Sequence, residues 1–327
     1  MSEKNTPAEN APEESTIDKP SIVCILGPTA SGKTDLAVEL VEHQPMDIIS
    51  VDSAMVYRDM NIGTAKPDAE TLARAPHRLI DFLDPAISYS AAEFRRDALR
   101  EMAEITAQGR IPLLVGGTMM YFKSLLQGLA EMPAADEATR EAILLEAEEK
   151  GWDKMHEQLT KVDPESGQRI HPNDPQRISR ALEVYKLTGV PLSEWQAKPT
   201  EPLPYTPLLI SLFPSDRAWL HERIERRFHL MVEQGLVDEV RALYERGDLN
   251  ESMPSIRAVG YRQAWQYLQG EVDENQMIER GIIATRQLAK RQLTWLRSMP
   301  DLVTFECKNK DLQKEVLNLT QRIHINE

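Results

Sequence analysis

Cysteine is nearly absent: Cys24 and Cys307 are the only two in 327 residues, so neither a disulfide framework nor a zinc cluster can be assembled, and both read as inert thiols. Long apolar runs are missing too, which excludes a membrane-spanning helix. The first twenty residues are rich in Glu, Pro, Asn and Ser and have no basic stretch followed by an apolar one. They are expected to form a disordered acidic tail rather than a secretory signal, and the protein is expected in the cytosol. Net positive charge is the third deficit. With 38 Lys and Arg against 52 Asp and Glu, the formal charge of -14 argues at first against a nucleic-acid partner. The excess is concentrated, however, since residues 1–20 hold -3 and residues 131–150 hold -5 of it. From Arg286 to Arg297 there are four bases, no acid, and Trp295 among them, a local face that reads either as a solvated helix side or as an RNA contact.

What the chain does have is Gly27-Pro28-Thr29-Ala30-Ser31-Gly32-Lys33-Thr34, a match to the phosphate-binding pattern G-x-x-x-x-G-K-[ST]. It follows the apolar run 21–26 and precedes the amphipathic segment carrying Leu36, Ala37, Leu40 and Val41. A strand that turns into a helix through such a loop curls backbone N–H groups around phosphate oxygens. Lys33 adds a positive charge, and the Thr34 hydroxyl can hold a magnesium ion at the helix start. A di- or triphosphate is the expected ligand.

Apolar runs at 21–26, 47–52, 78–83, 111–117 and 208–213 alternate with helical stretches. Their continuous apolar character predicts strands covered on both faces. The expected fold is therefore α/β, a P-loop NTPase-like doubly wound parallel sheet that binds ligands at the carboxyl ends of its strands. This core is expected over residues 21–130 and 201–307. The long stretch between the fourth and fifth runs predicts an all-helical insertion at 131–200, with helices near 136–150, 152–159 and 174–187. After residue 213 the chain reads as helical, from an N-cap at Ser215 or Asp216 to residue 234 and again from 274 to 296; residues 308–327 read as a peripheral tail.

Asp52 ends the second run, where the doubly wound rule aims its carboxylate at the phosphate crevice. It is the best catalytic candidate, as a magnesium ligand or a proton acceptor, although an Asp in this position can also simply cap the turn with Ser53. Gly116-Gly117-Thr118 ends the fourth run with room for close backbone approach and a hydroxyl on the same rim. No acid stands there, which suits something other than nucleotide hydrolysis.

These residues together resemble the bacterial tRNA dimethylallyltransferase family, also called tRNA isopentenyltransferases. The likeness rests on residues 27–34 and on Val51-Asp52-Ser53-Ala54-Met55-Val56-Tyr57, Ile62-Gly63-Thr64-Ala65-Lys66-Pro67 and Gly116-Gly117-Thr118-Met119-Met120-Tyr121-Phe122. It continues through His171-Pro172-Asn173-Asp174-Pro175-Gln176-Arg177, Ile256-Arg257-Ala258-Val259-Gly260-Tyr261-Arg262 and Arg286-Gln287-Leu288-Ala289-Lys290-Arg291-Gln292. The resemblance implies transfer of a dimethylallyl group from dimethylallyl diphosphate to N6 of the adenosine 3′-adjacent to a tRNA anticodon. In that reading Asp52 is the general base, Thr118 helps hold the amine or the adenine, and residues 27–34 with magnesium on Thr34 hold the diphosphate. It further implies that the anticodon stem-loop is contacted by Asp52, Ser53, Ala54, Met55 and Thr118, by Arg140, and by Gln176, Arg177, Ile178, Ser179 and Arg180. Arg257, Ala258, Val259, Gly260, Tyr261 and Arg262 complete that set with Lys290, Arg291, Gln292, Leu293, Thr294, Trp295, Leu296 and Arg297. Many relatives carry Gln where Met55 stands, so no side-chain hydrogen bond is expected from that position. Eukaryotic relatives carry a C-terminal zinc finger that two cysteines cannot supply, which marks the bacterial form; a monomer is expected.

Two other readings stay open. A small-molecule or nucleoside kinase shares the phosphate loop and would use a second arginine cluster, for which Arg169, Arg177 and Arg180 are available. A nucleotide-dependent RNA-binding switch would need no catalytic Asp52.

Overall fold

The computed structural model describes residues 19–130 and 132–322, so all but the last two residues of the tail expected over 1–20, and the end of the one expected over 308–327, lie outside the described residues. The five apolar runs contribute the parallel strands β1 (Ser21–Leu26), β2 (Met46–Val51), β3 (His77–Arg78), β4 (Ile111–Gly116) and β5 (Thr206–Phe213), and a sixth, β6 (Val303–Glu306), joins them. Their spatial order is β3-β2-β4-β1-β5-β6. The chain leaves β1 toward one edge, returns through β4, and then builds β5 and β6 on the other side. The carboxyl end of β1 thus lies where the winding reverses, the place where such sheets bind ligands. Helices α1 (Lys33–His43), α2 (Ala69–Arg74) and α3 (Ala91–Ala107) belong to the crossovers.

The chain divides into two compact units, the second made of Ser90–Arg96 and Met120–Leu203. It contains most of α4 (Met119–Gln127) and all of α5 (Glu137–Lys150), α6 (Trp152–Val162), α7 (Pro164–Arg169), α8 (Pro175–Thr188) and α9 (Leu192–Ala197). Its core is Ile143, Met155, Leu159, Ile178, Leu182 and Leu192 with their neighbours. Asp136, Asp163 and Asp174 cap α5, α7 and α8 by accepting from backbone N–H groups. The unit takes in residues before the expected residue 131, and within it Phe94 and Tyr121 stack at 4.4 Å, tying α4 to the start of α3.

The first unit ends in α10 (Arg217–Glu233), α11 (Leu236–Glu245), α12 (Tyr261–Leu268), α13 (Glu274–Ser298) and α14 (Leu312–Thr320). One of its cores lies between the sheet, α1 and Val316 of α14; another joins Val56, Tyr57 and Met60 to α10–α13. Two strand assignments need correction. Of the run 78–83 only Arg78 is in a strand, because Leu79 and Asp81 take positive φ and the segment folds onto the loop after β2, with Asp81 and Leu83 donating to the carbonyls of Met55 and Val56. β6 went unrecognised: it is four residues long, follows directly on a long helix, and gains its strand character by pairing with β5.

Candidate active site

Strand register builds the site. Val51 on β2, Gly116 on β4, Leu26 on β1 and Ser211 on β5 lie level across the sheet. Hence the residues that follow, Asp52, Gly117 and Gly27, leave the sheet edge side by side. Gly116 must be glycine, because a Cβ there would run into the Val51 carbonyl. Gly32 takes φ 93° as the N-cap of α1, a conformation that favours glycine, and lets the phosphate loop turn into the helix. Lys33 Nζ donates to the Pro28 carbonyl at 2.7 Å. Burial, and next to it Arg227, lowers the Lys33 pKa from its ordinary 10.5 to about 8, against the opposing pull of Asp52.

Asp52 both caps its turn and faces the loop cations. Its Oδ1 accepts from the Ala54 and Met55 N–H groups at 2.8 and 3.1 Å, which fixes the carboxylate plane. Among the described residues no donor reaches the other oxygen. The Thr118 Oγ1 accepts from the Ser53 N–H at 3.1 Å, and the Thr118 N–H donates to the Val51 carbonyl. Thr118 splices the β4 end to the loop carrying Asp52. Met55 keeps its side chain at home, with Sδ accepting from the Ser50 hydroxyl.

Two arginines that the motifs do not include complete the cationic side. Arg223 Nε donates to the Ala30 carbonyl at 2.9 Å and lies over the Trp219 ring. Arg227, four residues on, is half-buried, with its pKa lowered by burial against the pull of Asp52. Trp219, Arg223 and Arg227 form an i, i+4, i+8 row beside the buried row Leu220, Ile224 and Phe228. That pattern was legible as a helix with cations flanking its packed face, but only the fold brings it to the phosphate loop.

The residues expected to contact RNA divide by helical periodicity. On α13, Lys290, Arg291, Thr294 and Arg297 are exposed and Trp295 half-buried, whereas Leu293 and Leu296 point into the core. Gln292 is 8% exposed, and its amide binds the Thr29 N–H and the Gly117 carbonyl. Arg257 and Arg262 are exposed with no ion-pair partner among the described residues; Ala258 and Val259 are half-buried, and Gly260 is buried. Tyr261 is a correction, because its ring is fully buried and its hydroxyl donates to Glu239. That carboxylate in turn accepts from the N–H groups of Asn61, Ile62 and Gly63.

In the helical unit, Arg140 and Arg180 are ion-paired to Glu183, a carboxylate with no exposure that needs both partners. Ile178 is core, Ser179 is half-buried, and Gln176 and Arg177 are exposed, with Arg177 3.4 Å from Asp174. Arg169 binds Gln196. The three arginines that a kinase reading would gather are therefore each held by a neighbour within the unit.

Among the described residues no three His, Cys, Asp or Glu side chains converge as a metal cage. Magnesium in a phosphate loop needs none, since it takes a hydroxyl, phosphate oxygens and water. Thr34 fits that role: it stands in the first turn of α1, and its hydroxyl has no hydrogen-bond partner among the described residues. No helix among them is long and apolar enough to cross a membrane.

The IPP transferase family model matches residues 55–299. The full-length tRNA isopentenylpyrophosphate transferase of Bacillus halodurans is 38% identical, with 93% of this chain and 96% of that one aligned at a TM-score of 0.69. The tRNA delta(2)-isopentenylpyrophosphate transferase of Staphylococcus epidermidis is 36% identical over 93% and 99%, at 0.67. A eukaryotic dimethylallyltransferase acting on tRNA is 26% identical over 93% and 77%, at 0.74. With the family model matching residues 55–299 and the Bacillus halodurans and Staphylococcus epidermidis proteins 38% and 36% identical over 93% of this chain, the chain belongs to the IPP transferase family.

Proposed function

We propose that this protein transfers the dimethylallyl group of dimethylallyl diphosphate to the exocyclic N6 of the adenosine 3′-adjacent to the anticodon in tRNA, in the cytosol and without ATP. The neighbours are described as acting on tRNA, and that substrate is carried over to this chain. The observation that supports the chemistry most is Asp52, level with the phosphate loop and with one carboxylate oxygen fixed and the other open.

The diphosphate lies in the backbone N–H cradle of residues 30–34, with Lys33 and Arg227 against its charge. The N6 lone pair attacks the allylic carbon, the carbon–oxygen bond breaks, and pyrophosphate leaves with the electron pair. Charge gathers on that leaving group, where the cradle and the two cations are strongest. Magnesium held by Thr34 would supply further stabilisation of the same charge. An aromatic amine is a poor nucleophile, so the open oxygen of Asp52 takes the N6 proton as the new bond forms. Thr118 serves by holding Ser53 and, through it, the Asp52 turn. The exposed row Lys290, Arg291, Thr294 and Arg297, with Arg257 and Arg262, offers phosphate contacts, and Gln176 and Arg177 offer them on the helical unit.

The test is nucleoside analysis of an unmodified anticodon stem-loop after incubation with enzyme, magnesium and dimethylallyl diphosphate. N6-dimethylallyladenosine should appear only when adenosine occupies the 3′-adjacent position. Equal modification of an RNA with guanosine there would overturn the site assignment.

A further inference from the structure

We infer that Gln292 is a positioning residue that sets the phosphate loop for the diphosphate rather than a contact for RNA; the inference rests on the functional reading above. Gln292 sits in the most basic stretch of the sequence, yet its side chain is turned away from solvent and spans two loops at the sheet edge. Its Oε1 accepts from the Thr29 N–H and its Nε2 donates to the Gly117 carbonyl, both at 2.9 Å. The fit is close enough that a Cβ on Gly117 would collide with the Gln292 amide.

The geometry says what the bridge controls. The Thr29 N–H and the Pro28 carbonyl belong to one planar peptide group and point to opposite sides of it. Gln292 holds the N–H; Lys33 Nζ and the Ser31 N–H hold the carbonyl, at 2.7 and 3.3 Å. Fixing one end of this plane therefore aims the other at Lys33, the cation that must turn to the diphosphate. The second hydrogen bond, to Gly117, ties the same plane to the β4 end, whose next residue, Thr118, holds the Asp52 turn through Ser53. One carboxamide thus fixes the phosphate-binding loop relative to the strand end that supports the proton acceptor. Both groups it satisfies would otherwise lack that partner in a largely buried place.

The experiment measures three quantities on the full-length protein and on Gln292→Met and Gln292→Glu: affinity for magnesium pyrophosphate, affinity for an anticodon stem-loop RNA, and kcat and KM for dimethylallyl diphosphate. Met fills much the same space without the hydrogen bonds. Pyrophosphate affinity should fall about tenfold, the scale of removing one or two hydrogen bonds, with KM for dimethylallyl diphosphate rising alongside and RNA affinity unchanged. Glu keeps the acceptor for Thr29 but, when ionised, sets a second acceptor against the Gly117 carbonyl. Its pyrophosphate affinity relative to the unsubstituted protein should therefore be low at neutral pH and recover as acidification restores a donating carboxyl. If Met does not fold, the pH-dependent ratio for Glu carries the test. Unchanged pyrophosphate affinity in a folded Met variant, or a flat Glu ratio, overturns the inference, as does weakened RNA binding with pyrophosphate binding intact. Failure of the unsubstituted protein to bind pyrophosphate overturns the functional reading itself, and is told apart because it precedes any substitution.

Discussion

Asp52 uses one oxygen to hold its own turn and presents the other to the phosphate crevice, so the turn-capping and proton-accepting readings describe two halves of one carboxylate. Asp52→Asn retains the acceptor for Ala54 and Met55 but cannot take a proton. We expect kcat to fall by roughly 10²–10⁴ while RNA affinity in a filter-binding assay is preserved. A near-native kcat would remove Asp52 from the chemistry. Lys33 gives a pH prediction. Its folded pKa is lowered, so the charged form is disfavoured in the free protein; that penalty is present in full below about 8 and is relieved as pH rises toward 10.5. A bound diphosphate favours the ammonium again. Binding of dimethylallyl diphosphate near pH 8 should take up a fraction of a proton and weaken at higher pH, which calorimetry in buffers of different ionisation enthalpy measures directly. Asp52 and the phosphate loop were legible because both end apolar runs, and a strand end is a one-dimensional signal. Arg227 and the bridge that Gln292 makes to the phosphate loop were not, because each reaches the site across the fold from a helix far along the chain.

At the scale of elements, α13 shows why a contiguous range of residues is a poor description of a surface. Its 3.6-residue period sends Leu293 and Leu296 to the core and Lys290, Arg291, Thr294 and Arg297 to solvent within one stretch that resemblance had treated as uniform. The same holds at the start of α12. Tyr261 serves the loop at Asn61–Gly63 through Glu239, Gly260 is buried beside it, and Arg262 alone of the three faces out. Tyr261→Phe should lower the denaturation free energy by about 2 kcal/mol, the scale of one hydrogen bond to a charged acceptor, with RNA affinity unchanged. A variant of native stability with weakened RNA binding would return Tyr261 to the surface role. The phosphate loop helix was readable from its motif and apolar spacing, α10 from its N-cap, and α13 as a long helical stretch; β6 and the end of the run at 78–83 were not, since pairing and loop packing decide them.

At the scale of the whole molecule, a chain of formal charge -14 is asked to bind a polyanion. Local cations can do so because salt screens distant carboxylates beyond roughly 8 Å at physiological ionic strength. Lys290→Ala with Arg297→Ala should weaken stem-loop binding and flatten the dependence of log affinity on log salt by about 0.7 for each RNA phosphate that is no longer neutralised. An unaltered slope would mean that the RNA lies elsewhere. The doubly wound core was legible as a class from the alternation of apolar runs and helices. The grouping of residues 90–96 with the helical unit was not, because contacts such as the stack of Phe94 on Tyr121 join segments far apart in the chain.

The central claim is that a loop of nucleotide-binding type here holds a leaving group. The measurement that tests it most directly follows radiolabelled dimethylallyl diphosphate into unmodified tRNA, with magnesium present and ATP omitted, while released pyrophosphate is counted. The account predicts labelled tRNA and one pyrophosphate per group transferred, both abolished by substituting Asp52. Transfer that requires ATP, or ATP consumed with no label in the RNA, would contradict it.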